Sequence, residues 1–251
     1  MMREETVFGP IFSRRLGSSL GINLLPRNGK LCNFDCIYCE CGWNKDGTGD
    51  RVIPTAADVR TALESKLREC HQTGTPIDSI TFSGDGEPTL NPDFPQIIDD
   101  TLALRDAFYP EAKVSVLTNA TRLSRDSVFN ALRKVDNPIL KLDAPTSDLA
   151  SRINQPAVEY NVEDVICGME KFKGDFVMQT MFLRSPDFDT ASPEVLLPWM
   201  DIVRRVHPRE IMVYTIDRPT PAKGLAKYSE AEMRSLVQDL INEGFNIQIK
   251  G

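Results

Sequence analysis

Short apolar runs that favour extended backbone recur along the chain at 20–25, 79–83, 114–118, 139–142, 176–182 and 211–216, separated by intervals long enough to hold helices. This alternation restricts the fold more than any other feature. Strands joined by crossovers of that length pair in parallel, and parallel strands that are apolar throughout need cover on both faces. The pattern predicts an α/β fold with a parallel sheet and outer helices. Six strand–helix units fall short of the eight that close a barrel, so the expected form is an open partial (β/α)6 TIM-like barrel.

The intervening helices announce their ends. Ser229 and Glu232 stand at capping-box spacing, followed by Met233, Leu236, Val237, Leu240 and Ile241 on one face and by Gly244 as a stop. Thr55 and Asp58 form a second box ahead of Val59, Leu63 and Leu67. Ser192 and Pro193 open a third helix carrying Leu196, Trp199 and Val203. There is no internal repeat or low-complexity tract, and 251 residues with 41% hydrophobic content fill one core. We therefore expect a single domain over 1–251, with an N-terminal extension to about residue 17 and a closing helix and strand over about 229–250.

Charge and hydropathy narrow the partners. A net charge of −7 does not favour nucleic acid, although a local basic groove is compatible with an acidic protein. No apolar run reaches the ~18 residues of a membrane span. The first six residues are polar and charged rather than signal-like. A soluble, cytoplasmic protein is expected.

Four of the six cysteines, Cys32, Cys36, Cys39 and Cys41, fall inside ten residues. That layout suits a metal better than long-range disulfides. The first three have C-x3-C-x2-C spacing on a loop expected after the first strand. Ferredoxin-type clusters use four thiolates, so three leave one iron with an open coordination position. A zinc-binding module recruiting Cys41 as fourth ligand, and a non-catalytic iron–sulfur electron carrier, are the alternatives. Cys70 and Cys167 fall in helical patterns and read as small core residues. His71 and His207 have no partner at metal spacing.

The C-x3-C-x2-C motif, with an aromatic residue, Tyr38, before its last cysteine, resembles the defining motif of the radical S-adenosylmethionine superfamily. Gly84, Gly86 and Glu87, after the second predicted strand, are similar to the superfamily's Gly-Gly-Glu motif, with Asp85 inserted between the glycines. Asn119 matches the position where polar side chains meet the cofactor's ribose, and Asp143 ends the fourth strand. The stretch 8–21, together with Asn154, Pro156 and 215–219, resembles a branch of iron–sulfur oxidoreductases related to the tRNA wybutosine-synthesis enzymes.

The resemblance implies a [4Fe-4S] cluster on Cys32, Cys36 and Cys39, with Tyr38, Gly84, Gly86, Glu87, Asn119 and Asp143 toward S-adenosylmethionine. It also implies an external flavodoxin- or ferredoxin-type electron donor, and a 5'-deoxyadenosyl radical that abstracts hydrogen from a substrate. Substrate contacts are expected from Arg14 and Arg15, a paired-arginine anion site, and from Arg184, Tyr214 and Arg218 near strand ends. The loop 218–224 is a candidate lid.

Overall fold

The computed structural model describes residues 5–13, 17–27, 29–47 and 51–251. They group into two compact units, one of residues 1–32, 44–118 and 124–138, the other of residues 33–43, 119–123 and 139–251.

The first unit holds β1 (Val7–Ser13), β2 (Gly17–Ile22), α1 (Ala56–Thr73), β3 (Ser79–Phe82), α2 (Phe94–Phe108), β4 (Lys113–Thr118) and α3 (Asp126–Leu132). β1 pairs antiparallel with β2, while β2–β3 and β3–β4 are parallel. Thr55 caps α1 in a full capping box with Asp58, and Gly74, at φ 68°, ends it in the left-handed conformation. Val59, Leu63, Leu67 and Cys70 form the buried face of α1. One face of the sheet buries Leu20, Ile22, Ile80, Phe82, Val114 and Val116. The opposite face carries a hydroxyl chain: Ser19 to Thr81 at 2.8 Å, Thr81 to Ser79 at 3.0 Å and Ser79 to Ser115 at 3.3 Å. Each buried hydroxyl thus finds the partner it needs away from water.

The second unit holds β5 (Asn137–Lys141), α4 (Ser147–Ile153), α5 (Val162–Glu170), β6 (Val177–Met181), β7 (Leu183–Arg184), α6 (Pro193–Val206), β8 (Glu210–Tyr214), β9 (Ala226–Lys227), α7 (Glu230–Leu236), α8 (Gln238–Asn242) and β10 (Ile247–Lys250). β5–β6, β6–β8 and β8–β10 pair in parallel, and β7–β9 form a small antiparallel ribbon. Trp199 on α6 is 1% exposed; its indole N–H donates to Thr180 on β6 at 3.1 Å and its ring meets Phe182 edge-on.

All six predicted strands are present, with shifted ends. The first stops at Ile22 rather than 25, because the carboxamide oxygen of Asn23 turns the chain by accepting from the Leu25 N–H. Leu24 and Leu25 are buried without being strand. The predicted helix after Ser229 keeps its capping box but is broken at Val237 into α7 and α8. Cys70 is buried as expected; Cys167 is exposed, which corrects its core placement. The buried face of α5 is Val162, Val165, Ile166 and Met169, and Cys167 lies off that stripe beside Glu163 and Arg205. Among the described residues no helix is long and apolar enough to cross a membrane.

Candidate functional site

In the first unit the glycine-rich turn after β3 is built against two other segments. A Cβ on Gly84 would lie 2.1 Å from Asn23 Oδ1, the oxygen that also accepts from Asp85 N–H at 3.1 Å. Gly86 sits at φ 143°, and a Cβ there would lie 1.9 Å from the Leu31 carbonyl oxygen. Only glycine tolerates that approach. Leu31 N–H donates to Asp85 O at 2.9 Å and Glu87 N–H donates to Leu31 O at 3.0 Å. The glycine motif therefore pins the residue immediately before Cys32, whose own N–H donates to Asn44 Oδ1 at 3.1 Å.

Glu87 is 2% exposed. Its Oε1 accepts from Thr89 N–H at 3.1 Å and from the hydroxyls of Thr89 and Thr118, both at 2.6 Å, and so caps the 3-10 turn Pro88–Leu90.

In the second unit the cysteine loop 33–43 is held by three segments. Segment 153–157 runs antiparallel to it: Ile37 N–H donates to Ile153 O at 3.0 Å, Asp35 N–H to Asn154 O at 2.8 Å and Ala157 N–H to Asn33 O at 2.9 Å. Phe34 bridges Pro156. Asn119 Nδ2 donates to Asn33 Oδ1 at 2.7 Å, Asn33 Nδ2 to Thr121 Oγ1 at 2.7 Å, and Thr121 Oγ1 to Asn119 Oδ1 at 2.7 Å. From the loop after β8, Ala222 N–H donates to Ile37 O at 3.1 Å, and exposed Arg218 pairs with Glu40 at 2.7 Å. Within the loop, Cys39 N–H donates to Cys36 O and Gly42 N–H to Cys39 O, both at 3.0 Å.

Behind Cys36 lies a buried polar network. Asn154 Nδ2 is 3.3 Å from Cys36 Sγ, 2.7 Å from Asp143 Oδ2 and 3.4 Å from Tyr38 Oη. Tyr38 Oη also donates to Asp143 Oδ2. Asp143 Oδ1 accepts from Met181 N–H at 3.0 Å and lies 3.5 Å from Lys141 Nζ. Lys141 Nζ donates to Tyr214 Oη and stands 5.0 Å from the ring centres of both Tyr38 and Tyr214.

Burial pushes the Cys36 thiol up to about 11, with Lys141 pulling the other way. Burial and then Asp143 raise Tyr38 and Tyr160. Burial opposes the charge on Lys141, but Asp143, Tyr214 and Cys36 together hold it above the ordinary lysine range. A protonated lysine so placed is a fixed positive charge acting on the Cys36 sulfur.

Of the predicted site residues, the structure brings Cys36, Tyr38, Asp143 and Tyr214 into one network, with Cys39 farther along the cysteine loop and Arg218 on the loop after β8. Gly84, Gly86 and Glu87 share the turn that anchors Leu31. Asp143 is engaged by Tyr38, Asn154, Lys141 and Met181. Arg184 lies elsewhere, stacked 3.7 Å from the Tyr228 ring centre and paired with Glu232 at 3.0 Å. Arg14 and Arg15 lie outside the described residues. Lys141, Asn33 and the side chain of Asn154 had no role assigned from sequence. Asn154 and Pro156 did stand out there as shared with the resembling branch, which is the one signal that pointed toward the clamping segment.

A protein-family model of the radical SAM superfamily matches residues 29–178. A UPF0026 protein of Synechocystis sp. is 33% identical over 221 residues, covering 86% of this chain and 77% of that protein. The chain therefore belongs to the radical SAM superfamily and, within it, to the UPF0026 family. Streptococcus suis SuiB bound to S-adenosylmethionine superposes with a TM-score of 0.66 at 20% identity, over 91% of this chain and 50% of SuiB. TYW1 with a lysine–pyruvate adduct bound superposes at 0.65 and 16% identity, over 92% of this chain and 75% of TYW1. The chain thus spans about half the length of SuiB. These matches agree with an α/β fold with a largely parallel sheet and outer helices, of the kind seen in radical SAM partial-barrel structures. The protein is thus a radical SAM superfamily enzyme, and enzymes of that superfamily generally need a reductant.

The thiols of the C-x3-C-x2-C motif are of the chemical kind that binds the iron of the cluster that membership implies. Among the described residues Cys32, Cys36 and Cys39 take part in no disulfide. The sulfur of Cys36 meets the Asn154 N–H and the charge of Lys141, both of which favour a thiolate against the burial that opposes it.

Proposed function

We propose that the chain holds a [4Fe-4S] cluster on Cys32, Cys36 and Cys39 and binds S-adenosylmethionine at the iron without a thiolate. Such a cluster would supply the electron that splits S-adenosylmethionine into methionine and a 5'-deoxyadenosyl radical, which would take a hydrogen atom from a substrate. The observation that carries this is the cysteine loop: its backbone is clamped on both flanks, and a polar network backs its middle thiol.

The surrounding residues then have distinct tasks. Gly86 and Glu87 position the entry to the loop through Leu31, and the backbone of the turn 84–87 receives the cofactor's amino group. Asn119, through Asn33, sets the loop beside the ribose position. Asp143 supports the site through Tyr38 and Asn154. The segment 218–222, tied to the loop through Ile37 and Glu40, limits the entry of water to a reactive radical. Tyr214 and Arg218 are the residues we assign to substrate, and the electron enters from a flavodoxin- or ferredoxin-type donor.

The test is anaerobic reconstitution with iron and sulfide, addition of S-adenosylmethionine and dithionite, and chromatography for 5'-deoxyadenosine, with Cys36→Ala as control. Formation that disappears in the control supports the assignment. A protein that assembles no cluster refutes it.

A further inference from the structure

The Asn154 carboxamide is not needed to end its helix. As C-cap of α4 its backbone N–H already donates to Ala150 O at 2.7 Å, and its backbone carbonyl accepts from Asp35 N–H at 2.8 Å. The side chain is free of that duty, 3% exposed, and sits between Asp143 and Cys36. Its orientation is fixed by chemistry: a carboxylate only accepts, so the atom 2.7 Å from Asp143 Oδ2 must be the nitrogen. With one N–H held by Asp143, the carboxamide can turn its second toward Cys36 Sγ, 3.3 Å away. Asp143 is itself held by Met181 N–H at 3.0 Å and by Tyr38, so the carboxamide cannot rotate without breaking a buried charge-assisted bond.

We infer that Asn154 is a positioning residue whose N–H···S bond to Cys36 raises the reduction potential of the cluster. The inference rests on Cys36 being a cluster ligand. When one electron passes from dithionite or a one-electron carrier protein to the oxidised cluster, the donor loses that electron and no covalent bond or proton need move. The cluster becomes more negative by one charge, part of which falls on the thiolate sulfurs. A donor aimed at such a sulfur binds the reduced form more strongly, and hydrogen bonds to sulfur are among the features that set these potentials.

The test is an EPR-monitored redox titration of anaerobically reconstituted protein, comparing wild type with Asn154→Leu, which keeps the volume and removes the donor, and with Asn154→Gln, which retains an amide. With iron and sulfide content at the wild-type level, Asn154→Leu is expected to show a reduced-to-oxidised ratio about tenfold lower at a fixed potential. For a one-electron couple that is a downward shift of about 59 mV. Asn154→Gln is expected to fall between the two. An unchanged potential in a fully loaded Asn154→Leu protein overturns the inference. So does loss of iron in both variants, which makes Asn154 purely structural. Failure of the wild-type protein to assemble a cluster instead sinks the proposed function, so the two failures are distinguishable.

Discussion

Replacing Gly86 with alanine tests whether the glycine turn is built to hold Leu31. At φ 143° an L-residue carries backbone strain of about 1–3 kcal/mol. The added Cβ would lie 1.9 Å from the Leu31 carbonyl oxygen. Ordinary carbon–oxygen contacts begin at ~3.3 Å, so Leu31 must retreat by about 1.4 Å. That displacement breaks the paired bonds Leu31 N–H to Asp85 O and Glu87 N–H to Leu31 O. At about 1 kcal/mol each, these bring the expected loss to about 3–5 kcal/mol. A protein of ordinary stability, about 5–15 kcal/mol, would then be left marginal. Gly74→Ala is the control: φ is 68° there and nothing lies within 4 Å of where the added methyl would stand, so about 1–2 kcal/mol is expected. Urea denaturation of the metal-free proteins reads both values. Equal costs at the two glycines, or a loss below about 1 kcal/mol at Gly86, would refute the clamp.

Cys41→Ser should retain wild-type iron content and brown colour, measured by iron assay and visible absorption; loss of metal would favour the zinc alternative, which needs a fourth thiolate. Glu232 accepts from Ser229 backbone N–H and hydroxyl and pairs with Arg184, which together hold its carboxyl at about 2. Its folded value lies below the ordinary carboxylate value of about 4.3, so its stabilisation is complete above that pH and is lost as pH falls toward 2. Circular dichroism between those limits should show a flatter acid limb in Glu232→Gln than in wild type, and identical limbs would count against this assignment.

Local chemistry was legible in the chain, and long-range chemistry was not. The capping boxes at Thr55 and Ser229 involve residues three apart, and both form as read. Strand positions followed from apolar runs, but Leu24 and Leu25 show the limit: burial makes a residue apolar whether or not it pairs in a sheet. The break at Val237 was invisible because the apolar stripe continues through Leu240. β1 lies in the stretch expected to be an N-terminal extension; it accommodates Gly9 and Pro10 beside an irregularity in its register. The cysteine motif stood out because its spacing is itself the chemistry. Lys141 and the contacts that Asn154 and Asp143 make did not, since each depends on partners many residues away, as when Asn154 meets Cys36 across 118 positions.

The ladder between 33–37 and 153–157 is made of backbone atoms alone and uses no metal-ligating side chain. In many small metal-binding domains the ion gathers a disordered chain, and losing the ion dissolves the fold. Here 33–37 and 153–157 are joined by the chain's own hydrogen bonds, so reloading a lost cluster with iron and sulfide is the expected route to recovery under the proposed function.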